Sequence, residues 1–440
     1  MNIRFKLDAS KLKDALEIVS IVQPRPVNAQ GAAGYLFVVR GEMLSIYSQD
    51  SMHTTRAQVA LIEVEGEGAF IYPSASIEPF KYLDGEEITF TAKDDNGQYV
   101  VSYSTSSGDD REMIAFDPKL MASLDKELEE AAEGRDFSVE ILRDAIALSK
   151  NFLAKADDEK AEDNFKTLQI FDESKPEWEK GKGTLFASNA RQAFYFYSDA
   201  FASANLGLAV HGKHLSHLMN FLSKVKGKVT FKTNRNKIFA LSEELAPAPV
   251  VKEGETPPEP RPGRTHVIGW THHLKTHGKF SYYGLKTDQW VLRVNRDKIL
   301  AVLRYTKATL NKDAKKIRLS WSAAEKSLRF YVNESKDKGR TRPVQIDDNM
   351  IVLSEPRDFA FNVNIDNMIS LFDGAKAEEV ELRIHVRPAD EKQSKERAMF
   401  RTIDTYLVDS DNRLAVGAGG EKKPEGTYEC RVTRFTPSMD

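Results

Sequence analysis

Cys430 is the only cysteine in the 440 residues of this chain. A lone thiol leaves no intrachain disulfide and no cysteine-cluster metal site, and it suits a reducing cytoplasm. No apolar run approaches the ~20 residues that cross a bilayer. The opening MNIRFKLDASKLKD has no apolar core of signal-peptide length, so a cytoplasmic protein without a membrane partner is expected. The glycines around residues 31–34 and 66–70 are not followed by Gly-Lys-Ser/Thr, which excludes a phosphate loop. No serine stands in a nucleophile-elbow sequence. His273 and His277 have i, i+4 spacing with His266 and His272 nearby, yet no Glu follows His273 to complete a zinc-protease pattern. They read as surface histidines, with no metal site. Asp94, Asp95, Asp109 and Asp110 fall where hairpin turns are expected, and the sequon Asn333-Glu334-Ser335 has no secretory context. No catalytic set and no cofactor emerge, so an enzyme is not expected. The formal net charge of −3 argues against a uniformly basic binder, while leaving room for charge segregated onto one face.

What the chain has in abundance is repetition. Residues 3–22, 137–152 and 290–310 each read as a short strand running into an amphipathic helix. A second trio, residues 69–92, 206–233 and 359–386, reads as strand, helix, short turn, strand. The trios alternate along the chain, so six related half-units form three pairs. In the first, Ile3, Phe5 and Leu7 alternate with Arg4, Lys6 and Asp8, the period of a half-buried strand. Asp8 or Ser10 then caps a helix whose Leu12, Leu16, Val19 and Val22 share one side, and Pro24 and Pro26 end it.

Between the half-units lie strand hairpins at 35–39 with 43–47, at 184–187 with 194–197, and at 317–321 with 328–332. A further strand is expected at 52–61. The predicted class is α+β, with two helices packed on antiparallel sheets in each of three domains. Their limits are 1–125, 135–283 and 284–440, within the usual domain size. Residues 116–134, ending in an acidic alanine-rich run, make the first connector. Residues 245–264, rich in Pro and Glu, form a loop inserted in the second domain.

The charge is uneven. From residue 211 to 232 the charged residues are Lys213, Lys224, Lys226, Lys228 and Lys232, with no acid among them. From 293 to 318 nine basic residues, among them Arg293, Arg296, Lys298, Arg304 and Lys307, face only Asp297 and Asp313. Basic residues recurring on equivalent helices make a footprint for a polyphosphate backbone. Tyr305 and Phe221 read as core at helical spacing, so the base-stacking platform of a single-strand binder is missing. The ligand expected is duplex DNA, held without sequence readout.

These features resemble the bacterial-type DNA polymerase sliding clamp, the polymerase III beta subunit family. The likeness covers the chain and rests on short matches. They are Val19-Ser20 followed by Arg25-Pro26, then Val210-His211-Gly212-Lys213 with Leu218-Met219, and the closing run from Tyr428 to Phe435. The resemblance implies a head-to-tail homodimer ring around duplex DNA, acting as a processivity factor. It implies phosphate contact by Arg25 and Lys213, to which helix position adds Arg296, Lys298, Arg304 and Lys307. It also implies a groove for short peptides of the replicative polymerase and the clamp loader. Ser188, Ala190, Arg191 and Ala193 would form one wall, with Arg431, Val432 and Thr433 on the other. Here the chain departs from the family. The hairpin reads Ser188-Asn189-Ala190-Arg191-Gln192-Ala193, and Arg431-Val432-Thr433 replaces Met-Pro-Met. Residues 436–440 extend past the usual end, and the 245–264 loop is extra. A divergent, virus-encoded member would fit these departures. The rival reading is a clamp-like scaffold that never encloses DNA.

Overall fold

The alternation at the N-terminus produces β1 (Asn2–Asp8), with Ile3, Phe5 and Leu7 fully buried. Asp8 then caps α1 (Ala9–Val19), its carboxylate accepting the Ser10 N–H at 2.7 Å and the Ser10 hydroxyl. The hydroxyl bond, aided by the backbone bonds, holds this carboxyl below its ordinary pKa against the opposing effect of burial. Leu12, Leu16, Ile18 and Val19 form the buried stripe of α1, each contributing about 1.5–3 kcal/mol on burial.

A computed structural model describes residues 2–27, 33–83, 85–132, 134–161, 163–171, 183–188, 192–198, 208–244, 264–271, 289–310, 316–332, 344–345, 351–353, 359–373, 379–386, 400–408 and 428–437. It is a mixed α+β fold with four antiparallel sheets. None of its described helices is long and apolar enough to cross a membrane. The chain divides into two compact units, Met1–Arg143 with Ser216–Leu274, and Asp144–Leu215 with Lys275–Asp440.

The first unit holds two sheets. One runs β5 (Glu63–Glu65), β1, β7 (Glu87–Asp95), β8 (Gln98–Thr105), β9 (Asp110–Ala115). Asn96 and Gly97, both at positive φ, close the tight turn between β7 and β8. The other sheet starts with β10 (Arg135–Ser138), β15 (Lys228–Thr233), β16 (Lys237–Glu244) and β17 (Arg264–Thr271). It continues through β4 (His53–Ala60), β3 (Met43–Gln49), β2 (Gly34–Arg40) and β6 (Gly68–Pro73). Phe5, Phe37, Phe70, Tyr72, Phe80 and Phe90 pack together in the core of this unit.

In the second unit a nine-stranded sheet begins with β14 (Leu208–His211), β11 (Thr167–Phe171), β12 (Gly183–Ser188) and β13 (Gln192–Ser198). It passes to β26 (Tyr428–Pro437), β25 (Phe400–Val408), β24 (Glu379–Val386), β18 (Gln289–Asn295) and β22 (Ile351–Leu353). A four-stranded sheet follows the order β21 (Val344–Gln345), β20 (Ser327–Val332), β19 (Lys316–Ser322), β23 (Phe359–Asn364). The remaining helices are α2 (Asp125–Glu129), α3 (Val139–Ser149), α4 (Gly212–Lys224), α5 (Arg296–Thr309) and α6 (Ile365–Asp373).

All three hairpins and five of the six strand–helix starts stand where periodicity placed them. The exception is residues 69–92, where an α-helix was expected. Two 3-10 helices, 74–76 and 78–82, take its place, and only Phe80 within them is buried. Pro79 has no N–H and cannot sit in the interior of a helix starting at Ser74. Tyr305 is a second correction. It is 67% exposed, whereas Phe221 is fully buried as expected. The buried positions of α5 are Ile299, Leu300, Leu303 and Thr306, and at 100° per residue Tyr305 falls on the opposite side. The 245–263 part of the inserted loop, and the sequence around His272, His273 and His277, lie outside the described residues.

The first connector is ordered and holds two sheet segments together. Met121 and Leu124 are buried with Leu36, Tyr47 and Ile71 on one side and Phe239, Leu241 and Val267 on the other. Asp125 accepts from Arg56 Nη1 at 2.7 Å and from the Tyr47 hydroxyl at 2.6 Å. Burial, and then this carboxylate, push the Tyr47 hydroxyl pKa upward. Lys237 pairs with Glu127 at 2.6 Å, and the Ala132 N–H donates to the Thr233 carbonyl. Asp125→Ala would leave the buried Arg56 guanidinium without its counter-charge. Urea unfolding should then show a loss of about 2–3 kcal/mol. A loss under about 0.5 kcal/mol would mean the connector is not a strut.

Candidate nucleic-acid interface

Helix α4 begins directly after β14, so Lys213 stands in the first helical turn, half-buried, its N–H donating to His211 Nδ1 at 3.2 Å. Leu215, Leu218, Phe221 and Leu222 face inward. At the far end Lys224 is exposed and forms an ion pair with Glu17 of α1. Lys226 and Lys228 follow in and after the turn, both exposed. Arg25 is exposed after α1, where the chain is held by its own N–H donating to the Gln49 carbonyl at 3.0 Å.

Helix α5 carries the densest charge, and it packs beside α6. Asn295 caps it, accepting the Lys298 N–H at 3.0 Å. The four basic residues then divide by what they touch. Arg296 is half-buried and donates from Nε to the Phe372 carbonyl at 2.9 Å and from Nη2 to the Asp373 carbonyl at 3.3 Å. It thereby satisfies carbonyls at the end of α6, where a cation also meets the negative end of the helix dipole. Arg304 pairs with the Asp373 carboxylate at 2.6 Å and Lys307 with Asp366 at 2.7 Å, both pairs well exposed. Lys298 is exposed on the other flank. Tyr305, two turns further on, shares that flank.

The acids that meet these cations escaped the sequence reading. Asp366 and Asp373 lie seven residues apart, two turns of α6, while Arg304 and Lys307 lie one turn apart on α5. The period places each pair on one helix face, but only packing shows that the two faces meet. Of the residues expected to line a peptide groove, the described ones fall on the nine-stranded sheet. Ser188 ends β12 and pairs with Ala193 of β13, and Ala193 in turn stands opposite Thr433 of β26. Val432 pairs with Phe194 and Arg431 with Tyr195. The two predicted walls are thus neighbours in one sheet. Ala190 and Arg191 lie outside the described residues.

No family model and no curated protein matches this sequence. Solved structures do match it along its length. A DnaN sliding clamp (DNA polymerase III subunit beta) from Pseudomonas aeruginosa bound to griselimycin superposes with a TM-score of 0.66 at 14% identity, covering 100% of both chains. The corresponding clamp from Bartonella birtlesii, also bound to griselimycin, gives 0.65 at 13% identity, with 99% of each chain covered. The Caulobacter crescentus pol III beta gives 0.63 at 12% identity, covering 98% of this chain and 99% of that one. The chain therefore has the sliding-clamp fold.

Arg296 differs from its neighbours in having a structural task. Arg296→Ala should lower stability by about 1–2 kcal/mol in calorimetry, whereas Lys298→Ala should stay within about 0.5 kcal/mol of the parent. An Arg296 variant of unchanged stability would overturn the capping role.

Proposed function

We propose that this protein is a DNA sliding clamp, a processivity factor that closes into a homodimer ring around duplex DNA. The observation that carries this reading is the strand order. One four-strand scheme occurs six times: β6-β2-β3-β4, β1-β7-β8-β9, β14-β11-β12-β13, β10-β15-β16-β17, β23-β19-β20-β21 and β18-β24-β25-β26. Taken in pairs these are three domains. The last strand of one scheme joins the last strand of another at β4–β17 and at β13–β26. Two last strands, β9 and β21, have no such partner among the described residues. By the same rule β9 of one copy pairs with β21 of a second, which joins the first domain to the third. Two unlike ends that complete each other give a heterologous contact, which closes in a dimer if each copy spans half a turn. Exposed edges of this kind invite pairing, and Ile114 on β9 is 59% exposed.

Within the ring the basic helices would face DNA. Arg25, Lys213, Arg296, Lys298, Arg304 and Lys307 meet phosphates in this reading, Arg296 from its capping position. The polymerase and the loader would dock through short peptides where the β12–β13 hairpin meets β26. That site takes in Ser188, Ala190, Arg191 and Ala193 with Arg431, Val432 and Thr433. A tethered polymerase gains effective concentration at the primer end, which is the whole of the activity.

Two measurements test the reading. Ile114→Asp puts a charge on the open edge and should turn a dimer into a monomer by native mass spectrometry. A parent protein that is monomeric at micromolar concentration would favour a scaffold that encloses nothing. Asp366→Asn with Asp373→Asn should strengthen binding to duplex DNA. Each freed cation should steepen the log–log salt dependence by about 0.9. Unchanged affinity and slope would take Arg304 and Lys307 off the DNA face.

A further inference from the structure

Where β4 meets α4, three side chains unrelated to the charged helix faces converge. His53, the first residue of β4, is buried. Its ring stacks on that of His217 in α4, with centroids 4.0 Å apart and planes at 20°. Asp50 stands in the turn before β4. Its Oδ1 accepts the N–H groups of Met52 and His53, each at 2.6 Å, and its Oδ2 lies 3.1 Å from His53 Nδ1. One donor atom from each of the three residues lies within 4.8 Å of the other two. Ligands held at 2.0–2.1 Å on a tetrahedral zinc stand about 3.4 Å apart. Coordination requires His217, half-buried on its helix, to turn out of the stack so that both ring planes meet at the ion, while the Met52 and His53 N–H groups hold Asp50 in place.

We propose that Asp50, His53 and His217 bind a divalent transition-metal ion of the zinc class, leaving the fourth position to water. Two imidazoles and one carboxylate suit Zn²⁺, Co²⁺ or Ni²⁺ and are too nitrogen-rich for Mg²⁺ or Ca²⁺. The ion ties a turn near the N-terminus to a helix far along the chain. It therefore closes a long loop, and its binding free energy adds to the stability of the folded state.

The test uses the full-length protein stripped with EDTA and titrated with ZnCl₂. Calorimetry should find one equivalent bound per chain, with a rise in unfolding temperature of about 3 °C or more at saturation. His217→Gln, a change on a half-buried helix position, should remove both effects while keeping the metal-free unfolding temperature. No zinc-dependent shift in the parent protein overturns the proposal. So does a shift retained by His217→Gln and lost when His273 and His277 are replaced, because the ion then sits at those residues. Anomalous scattering at the zinc edge gives an answer independent of any variant. A peak between His53 and His217 supports the site, and a peak confined to other residues overturns it.

Discussion

Main-chain pairing between the last strands of neighbouring sheets is the interaction on which the rest depends. A four-stranded sheet with one bare edge presents a row of unsatisfied N–H and C=O groups. At β4–β17 that edge is covered in the register Val267 to Arg56, Ile268 to Thr55, Gly269 to Thr54 and Trp270 to His53. Gly269 is required there, since a Cβ would sit 2.7 Å from the Phe239 ring and 3.1 Å from the Thr54 hydroxyl. The junction also explains the buried charge. Arg56 is carried into the sheet by the pairing, and Asp125 of the connector comes over it to supply the counter-charge. The connector is ordered because the junction needs it.

How much of this was legible follows from how local each signal is. Strand and helix periods are written in consecutive residues, so the half-units could be placed before any contact was known. The failures are equally physical. In residues 74–82 the apolar spacing suggested a helix, but Pro79 removes a backbone donor at a position the spacing does not register. Helical spacing among apolar neighbours points Tyr305 to the core, although its angular position is nearly opposite the buried stripe. An angular projection would have moved it to the surface. Conversely, Arg296 looks like any other cation at a helix start. Its bonds to Phe372 and Asp373 depend on α6 arriving from seventy residues away. The Asp50, His53 and His217 cluster is invisible for the same reason. The sequence shows His211, His214 and His217 close together, but only folding brings His217 against His53.

The ion pairs between helices bear on what the basic surface can do. Lys224 meets Glu17, Arg304 meets Asp373, and Lys307 meets Asp366, each pair linking two different helices at an exposed site. Exposed pairs are worth about 0–1 kcal/mol each, so a phosphate can displace a carboxylate at small cost and be displaced in turn. A surface of unopposed lysines would hold DNA more firmly at every step. With a net charge of −3 the chain has enough acids to oppose its cations, and packing brings several of them to the helices where the cations are densest. In the proposed ring, closed sheet edges would keep the grip topological, and electrostatic contacts this weak would let it move along a duplex.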